Sequence, residues 1–281
     1  MSVSARPIRI VSCNTEFAGC AEFGYGAPER RDEQMQLLRA LEPDVLALQE
    51  MNGCRALGGR RFRRWVIGTG MAQGFLAHAN LTTSGHAFDS AILVSDRVRV
   101  LAEGANTAKY HHVLGWLECE IDGLPAPLEF KNIHLDPFDP RNRTAETSPF
   151  EVLGAPGRAA VVIGDANAVG LGFPEPDWSR LPPHLRNGHL GLPGTRWEGI
   201  ADRSAVEQLA LAGLVDLAQF YDDQRPTGGF GPQDVERRQD LAILSPDLVP
   251  LARNYQVHRE FVDLGLGDHA MISFELDPAA T

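Results

Sequence analysis

Asp165 and Asn167 are the residues whose types and spacing most directly suggest chemistry. They follow the short apolar run 161–163 (Val-Val-Ile) and Gly164, where the backbone can turn. If strand geometry persists, the carboxylate and the carboxamide point the same way. A buried strand that ends on such groups is costly unless they are solvated, paired or bound to a metal. A strand that leaves the core through a simple Asp/Asn turn is the alternative.

Other apolar segments also meet polar side chains capable of acid–base chemistry or metal binding. These further candidates are Asn14, Glu16, Glu50, His134, Asp240, Asp268 and His269. They converge at one rim if the strands that carry them run in compatible directions. Carboxylate and amide oxygens without cysteine favour a hard cation, Mg²⁺ or Mn²⁺, over zinc.

Strands are the elements that must position these residues. Apolar or alternating runs predict strands at 8–14, 45–50, 89–94, 98–101, 114–121, 128–133, 161–163, 240–244 and 270–276. The pair 89–94 and 98–101 is typical of a hairpin around Ser95-Asp96. Helices are predicted from Pro28-Glu29 to about residue 41 and over 204–214. Many strands and few helices predict two packed sheets flanked by helices, in a single domain over 1–281 with its core at about 8–276.

Three further segments have both a functional and a structural interpretation. Residues 60–65 (Arg-Arg-Phe-Arg-Arg-Trp) could hold phosphates, but an edge strand with solvated arginines is favoured. Residues 170–199 contain five prolines and no periodicity, which is typical of a functional loop or lid. Tyr110, His111 and His112 precede a strand, where amphipathic surface residues are the simpler interpretation.

Composition narrows the class of protein. The 281 residues carry a formal charge of −11 and an isoelectric point of about 5.3. This disfavours binding to nucleic acid or anionic membrane through a general basic surface, although a local basic groove remains open. No apolar run approaches the roughly 18 residues of a transmembrane helix, and residues 1–7 show no secretory signal. The four cysteines have no zinc or redox spacing, so a reduced, cytoplasmic protein is expected; a mature form lacking its signal would look the same.

Six segments resemble the endonuclease/exonuclease/phosphatase superfamily, the DNase I-like fold. In chain order they are 10–14 (Ile-Val-Ser-Cys-Asn), 48–50 (Leu-Gln-Glu), 132–135 (Asn-Ile-His-Leu), 164–168 (Gly-Asp-Ala-Asn-Ala), 238–245 (Arg-Gln-Asp-Leu-Ala-Ile-Leu-Ser) and 267–270 (Gly-Asp-His-Ala). Each is weak alone, but their order matches the family and covers nearly the whole chain. The resemblance implies an α/β (α+β) fold, a four-layered α/β/β/α sandwich of two mixed β-sheets flanked by helices.

The resemblance also implies metal-assisted phosphoester hydrolysis at one rim of the sheets. Glu50 resembles the family's main ligand for Mg²⁺ or Mn²⁺, with Asn14, Glu16 and Asp268 around the ion. Whether one or two metals act is left open. A cation is chemically reasonable there because it neutralises the charge that develops on an anionic phosphate ester.

The remaining motif residues resemble the family's catalytic groups. Asp165 corresponds to the water-orienting base, and Asn167 to the group that positions the water or a phosphate oxygen. His269, held by Asp240, corresponds to the histidine that binds phosphate. His134 resembles the second catalytic histidine of the DNase-like branch, which stabilises the phosphorane or protonates the leaving oxygen.

Three functions are consistent with these residues. The preferred one is a metal-dependent phosphoesterase acting on a small or lipid-like phosphorylated substrate, which suits the acidic chain and the long loop 170–199. A nuclease acting on DNA or RNA fits the motifs equally well, but only residues 60–64 are basic and no helix is expected to carry a basic stripe. A repurposed or binding-only scaffold ranks last, because every ligand position is filled. Departures from the family's usual residues, such as Cys13 before Asn14, affect substrate choice rather than the catalytic groups. The sequence leaves the oligomeric state open.

Overall fold

The chain folds into two β-sheets packed face to face and flanked by helices, in a computed structural model that describes residues 6–20, 29–81, 87–124 and 126–280. The strands are β1 (Ile8–Asn14), β2 (Val45–Gln49), β3 (Gln73–Ala77), β4 (Ser90–Val94), β5 (Val98–Asn106), β6 (Leu114–Ile121), β7 (Leu128–His134), β8 (Ala160–Asp165), β9 (Val215–Asp216), β10 (Asp240–Leu244), β11 (Ala252–His258) and β12 (Met271–Leu276). The α-helices are α1 (Arg31–Ala40), α2 (Ala56–Gly68), α3 (Pro140–Thr147), α4 (Pro183–Arg186), α5 (Ser204–Leu211), α6 (Leu217–Phe220) and α7 (Glu260–Asp263). Pro28, where the first helix was predicted to open, lies outside the described residues.

Each sheet is built around one parallel pair of strands. The first sheet has the order β11-β12-β1-β2-β4-β3, and the second has the order β5-β6-β7-β8-β10-β9. Strands β1 and β2 are parallel, as are β7 and β8, and the other neighbours are antiparallel. Both sheets are therefore mixed, as predicted.

The main apolar core lies between the two sheets. Ile10 and Ala47 of the first sheet share a buried cluster with Phe130, Val161 and Ala242 of the second. Alternation along each strand places the next residues on the outer face of their sheet, as expected for a period of two.

Helices cover both outer faces. Leu46 and Leu48 of the first sheet pack with Leu38 of α1 and Trp65 of α2. On the second sheet, strand residues pack against α5 and the turn of 3₁₀-helix at Ser148–Gly154. These contacts complete the predicted α/β/β/α sandwich. Among the helices that the described residues form, none combines the length and apolarity needed to cross a membrane.

The prediction of an edge strand at residues 60–65 is wrong, because these residues lie in α2. Trp65 is fully buried, and Phe62 and Val66 pack beside it against the first sheet. Spacings of three and four residues place these three side chains on one helical face. The arginines are left on the other faces, so this helix does carry a basic surface, contrary to expectation.

The predicted hairpin over 89–101 is also wrong. β4 pairs with β2 on one side and β3 on the other, so neither of its edges can accept β5. The turn at Ser95-Asp96 instead carries the chain into the second sheet, where β5 pairs with β6.

Candidate active site

Strand direction brings the predicted residues to one rim of the sandwich. Asn14 ends β1 beside Gln49, and Glu50 follows directly. In the second sheet His134 and Asp165 are neighbours at the ends of parallel strands. Antiparallel β10 begins at this rim with Asp240 opposite Asp165. The convergence proposed from the sequence is therefore present in the structure.

His269 links the two aspartates of β8 and β10. Its Nδ1 atom lies 2.9 Å from Asp240 Oδ2, and its Nε2 atom lies 3.9 Å from Asp165 Oδ2. All three side chains are buried, and one ligand atom from each lies within 4.8 Å of the others. Burial raises the pKa of both aspartates, and the positive charge of His269 opposes that rise. Burial by itself lowers the pKa of His269, but Asp240 and Asp165 outweigh it and raise that pKa well above its ordinary value.

Gln239 contacts the other side of the His269 ring and was missed in the sequence. Its Nε2 atom lies 3.0 Å from His269 Nε2, while its Oε1 atom accepts a hydrogen bond of 2.6 Å from Arg237 Nε. Arg237 therefore turns the amide N–H group of Gln239 toward His269 Nε2, and this group donates a hydrogen bond only while that ring nitrogen carries no proton. The residue lies directly before Asp240 in the motif, and that adjacency was the available signal.

Asn14 connects Asp165 to Glu50. Its Nδ2 atom donates to Glu50 Oε1 at 3.2 Å and to Asp165 Oδ2 at 3.3 Å. Desolvation, with the nearby charge of Asp268, raises the pKa of Glu50 to about 7. Glu50 is surrounded by other negative charges and by oxygen atoms, and this environment suits a hard divalent cation. Glu50 also has φ 58°, a left-handed conformation that is strained for a non-glycine residue.

The other two predicted metal ligands differ in their surroundings. The Glu16 carboxylate forms an ion pair of 2.8 Å with Arg30, and its backbone N–H donates to Asn14 Oδ1. Asp268 is exposed beside His269, and its charge adds to the effect of burial in raising the pKa of both Glu16 and Glu50. Their role in metal binding stays a prediction.

Asn167 is fixed against the end of β8. Its backbone N–H donates to Asp165 Oδ1 at 2.8 Å, and its Nδ2 atom donates to the Leu135 carbonyl at 3.0 Å. Gly164 supports this arrangement at φ 135°, because a Cβ atom there would lie 2.1 Å from the Ile133 carbonyl oxygen. This position within β8 therefore requires glycine. Neither hydrogen bond of Asn167 uses its side-chain oxygen.

His134 approaches Asp165 from β7, with its Nε2 atom 3.6 Å from Asp165 Oδ2. Its ring stacks on His112 at a centroid separation of 4.1 Å, and its Nδ1 atom is buried without a hydrogen-bond partner among the described residues. Burial, with His269 and His111 nearby, lowers the pKa of His134 to about 3. The ring is therefore neutral at physiological pH.

The segment before β6 is more buried than its sequence suggested. Tyr110 packs against Phe150 in the core of the second outer layer, so the interpretation as surface is wrong for it. His112 is buried beside His134, and burial lowers its pKa far below the ordinary range. His111 alone is partly exposed, with its Nδ1 atom 3.2 Å from Asp136.

A buried polar bridge that sequence reasoning missed lies below this rim. Gln49 Nε2 donates to Ser12 in its own sheet and, at 2.6 Å, to Asn132 Oδ1 in the other. Asn132 in turn donates to the carbonyls of Leu48 and Ala91 across the interface. These buried hydrogen bonds between the sheets fix their relative placement. The available signal was that Asn132 falls on the inward face of an otherwise apolar alternation.

Comparison with solved structures identifies the class of fold. The endonuclease/exonuclease/phosphatase of Bacteroides vulgatus aligns over 97% of this chain and 99% of its own, with 16% identity and a TM-score of 0.65. An AP endonuclease from Archaeoglobus fulgidus aligns over 96% and 99%, with 15% identity and a TM-score of 0.62. The endonuclease domain of TRAS1, a telomere-specific non-LTR retrotransposon, aligns over 96% and 98%, with 14% identity and a TM-score of 0.61.

The chain therefore has the DNase I-like fold of the endonuclease/exonuclease/phosphatase proteins, which confirms the prediction made from its motifs. No family model matches the sequence, and no curated protein matches it.

Proposed function

We propose that this protein is a metal-dependent phosphoesterase that acts on a small or lipid-like phosphorylated substrate. The observation that carries the proposal is the convergence of Glu50, Asn14 and Asp165 with the buried Asp240–His269 pair at one rim. Carboxylates that could bind a cation thus stand beside a group that could orient water and a histidine that could bind phosphate.

Glu50, with Asn14, Asp268 and Glu16 around it, would hold Mg²⁺ or Mn²⁺ in this proposal. When bound, such a cation supplies charge neutralisation to the oxygens of the phosphate ester. The oxygen-only ligand set and the raised pKa of Glu50 support this assignment.

Asp165 and Asn167 are proposed to orient the attacking water, because Asp165 is fixed by hydrogen bonds from Asn14 and from the Asn167 backbone. The water loses one proton as its oxygen bonds to phosphorus, and the ester P–O bond breaks with its electron pair on the leaving oxygen. The leaving oxygen takes up one proton in exchange, so ester and water become phosphate and alcohol with no net change in protons.

The two histidines are proposed to contact the phosphoryl group in different protonation states. Asp240 holds the His269 ring and, with Asp165, raises its pKa, which favours the protonated form. In that form Nε2 carries a proton, so it no longer accepts from the Gln239 amide and is suited to donate to a phosphate oxygen. His134 is neutral, so its proposed contribution is hydrogen bonding rather than proton donation from an imidazolium.

A nuclease is the second candidate, and two observations favour it. Two of the structural neighbours are endonucleases, and α2 presents Arg60, Arg63 and Arg64 to solvent. Arg64 is already paired with Asp32, and the chain as a whole is acidic, which weakens the case for a backbone-binding surface.

Supercoiled-plasmid nicking in Mg²⁺ separates the two candidates. EDTA and Asp165→Ala are the controls, and Arg63→Glu/Arg64→Glu tests the basic helix. Nicking that needs the metal, Asp165 and both arginines would establish a nuclease. If a folded, metal-binding protein does not nick DNA but hydrolyses small phosphate esters in a reaction that requires Asp165, the preferred proposal stands.

A further inference from the structure

A pocket of about 600 Å³ opens directly beside the candidate active site. Asn167, Asp268 and His269 line one end of it. The long segment 170–199 supplies the opposite wall, so the pocket continues from the proposed site of hydrolysis into the part of the chain with the least regular structure. Its volume is in the range of small-molecule sites.

The wall away from the active site is largely apolar. Leu181 and Leu185 come from the long segment, Phe138 from the loop after β7 and Phe230 from the loop before β10. Phe138 is 71% exposed and Leu185 is 47% exposed. Exposed apolar side chains around a concave surface are typical of a ligand site rather than of an ordinary surface.

The positive charge of Arg237 in this pocket is already compensated. Arg237 has its guanidinium bound to Asp234, Gln239 and the Val235 carbonyl, and its side chain is almost fully buried. His189 stacks on Trp178, and burial lowers its pKa to about 3, so it is neutral. No described lining residue therefore offers a permanent positive charge without a counter-charge, as a second phosphate or a nucleic-acid backbone would require.

The wall is also held in place by hydrogen bonds to its backbone. Arg143 of α3, which is fully buried, donates to the Gly188 carbonyl at 2.8 Å. Arg186 donates to the Leu181 carbonyl at 2.7 Å within the segment. A site that exists before binding loses less conformational entropy when it is filled.

We propose that this pocket binds the organic group of the substrate, and that this group is compact, uncharged and aromatic. The inference rests on the proposed phosphoesterase function, because it places the phosphoryl group at His269 and the esterified group between Leu185, Phe138 and Phe230. An aromatic group matches the apolar wall and the exposed phenylalanine, and it adds no charge that the wall would have to compensate. An aryl phosphate is therefore a better substrate than a polar ester such as glycerol 1-phosphate.

The direct test is calorimetric titration with 1-naphthol, without metal, of the wild type, Leu185→Asp and the matched control Leu211→Asp. Leu211 is 83% exposed on α5 and does not line the pocket. Naphthol is expected to bind the wild type and the control equally and to bind Leu185→Asp about tenfold more weakly. Phe138→Ala, at an exposed position, provides a second variant if Leu185→Asp does not fold. Equal binding by the pocket variant and the control, or no binding to the wild type, would overturn the proposal.

Kinetics separate this inference from the proposed function. With 1-naphthyl phosphate, Leu185→Asp should raise KM about tenfold at unchanged kcat, and the preference over glycerol 1-phosphate should shrink accordingly. If naphthol binds through Leu185 but no phosphate ester is hydrolysed in Mg²⁺, the pocket stands and the phosphoesterase function is wrong. If esters are hydrolysed without an aryl preference, the function stands and the pocket assignment is wrong.

Discussion

Asp165 and Asp240 face one another as directly paired residues on β8 and β10, both buried. Like charges in directly opposed positions repel, and burial increases the cost. His269 lies between them, 2.9 Å from one carboxylate and 3.9 Å from the other. The imidazolium thus compensates the pair and is itself held where a phosphate oxygen is proposed to bind.

His269→Ala should therefore impair stability as well as turnover. Removal of the cation leaves two buried carboxylates, which should lower the free energy of unfolding by about 3–5 kcal/mol at pH 8. Turnover of a phosphate ester should fall by about 10²-fold or more, since a proposed donor to phosphate is lost. Urea denaturation and steady-state kinetics measure the two effects.

The double variant His269→Ala/Asp240→Asn isolates the charge effect. Removal of one of the two carboxylates should restore part of the lost stability without restoring turnover. A double variant as unstable as His269→Ala would show that the loss comes from packing rather than from the opposed charges.

Glu50→Gln should abolish binding of the divalent cation and the metal-dependent activity. Glutamine keeps the shape of the side chain and one acceptor oxygen, so the fold should remain intact, but it lacks the negative charge that a hard cation needs. Calorimetric titration with Mn²⁺ measures binding directly. Glu42→Gln is the matched control, because Glu42 is an exposed glutamate with a similar left-handed backbone, φ 48° against 58°. Unchanged turnover of Glu50→Gln at saturating Mg²⁺ would remove Glu50 from the site.

The motif segments predicted which residues meet at the rim, because in each of them an apolar run is preceded or followed by polar residues. That pattern is local, and Asn14, Glu50, His134 and Asp165 indeed end strands or follow them directly. Pairing between strands is decided by which edges are available, and this is why the partner of β5 could not be deduced from its sequence neighbour β4.

Two other features could not be interpreted from strand patterns: one has helical periodicity, and the other depends on a tertiary contact. Phe62, Trp65 and Val66 have helical spacing, which the count of arginines concealed. The contact of Gln239 with His269, by contrast, joins two segments of the chain and depends on Arg237 for its orientation. The position of Gln239 next to Asp240 placed it near the site but could not give the contact itself.

Glu146 should make stability depend on pH. Its two carboxylate oxygens accept hydrogen bonds from the backbone N–H groups of His111 and Asp136 at 2.5 and 2.8 Å. Desolvation, partly offset by these bonds, raises the pKa of Glu146 from 4.5 to about 7. The folded state therefore binds more protons than the unfolded state between those values, so this group's contribution to stability falls as pH rises from about 4.5 to about 7.

Glu146→Gln removes that titration. As pH rises through this range, the unfolding free energy of the wild type should fall relative to that of the variant, and the difference should level off above it. The variant also lacks one hydrogen-bond acceptor at every pH, which adds a constant difference. Urea denaturation at several pH values measures the difference. A difference that is constant from pH 4 to pH 8 would show that Glu146 titrates alike in the folded and unfolded states.

Arg143 should control both the stability of the protein and the shape of the pocket wall. Its guanidinium donates to the carbonyls of Asp136 and Gly188 and lies 3.6 Å from the buried carboxylate of Asp202. Arg143→Met fills similar space but leaves that carboxylate without its partner, so the unfolding free energy should fall by about 3–5 kcal/mol. Because Gly188 lies in the pocket wall, the substitution should also destabilise that wall locally.

Proteolysis can distinguish such a local effect from a global one. Cleavage within 181–199 should accelerate in Arg143→Met more than the change in global stability predicts, since the wall opens without complete unfolding. KM for 1-naphthyl phosphate should rise in parallel. Arg141→Met is the matched control on the same helix and should behave as wild type. The Arg141 side chain is 75% exposed and, among the described side chains, binds Asp139 alone. If both variants are cleaved at the same rate, Arg143 does not hold the wall, and the pocket does not depend on this anchor.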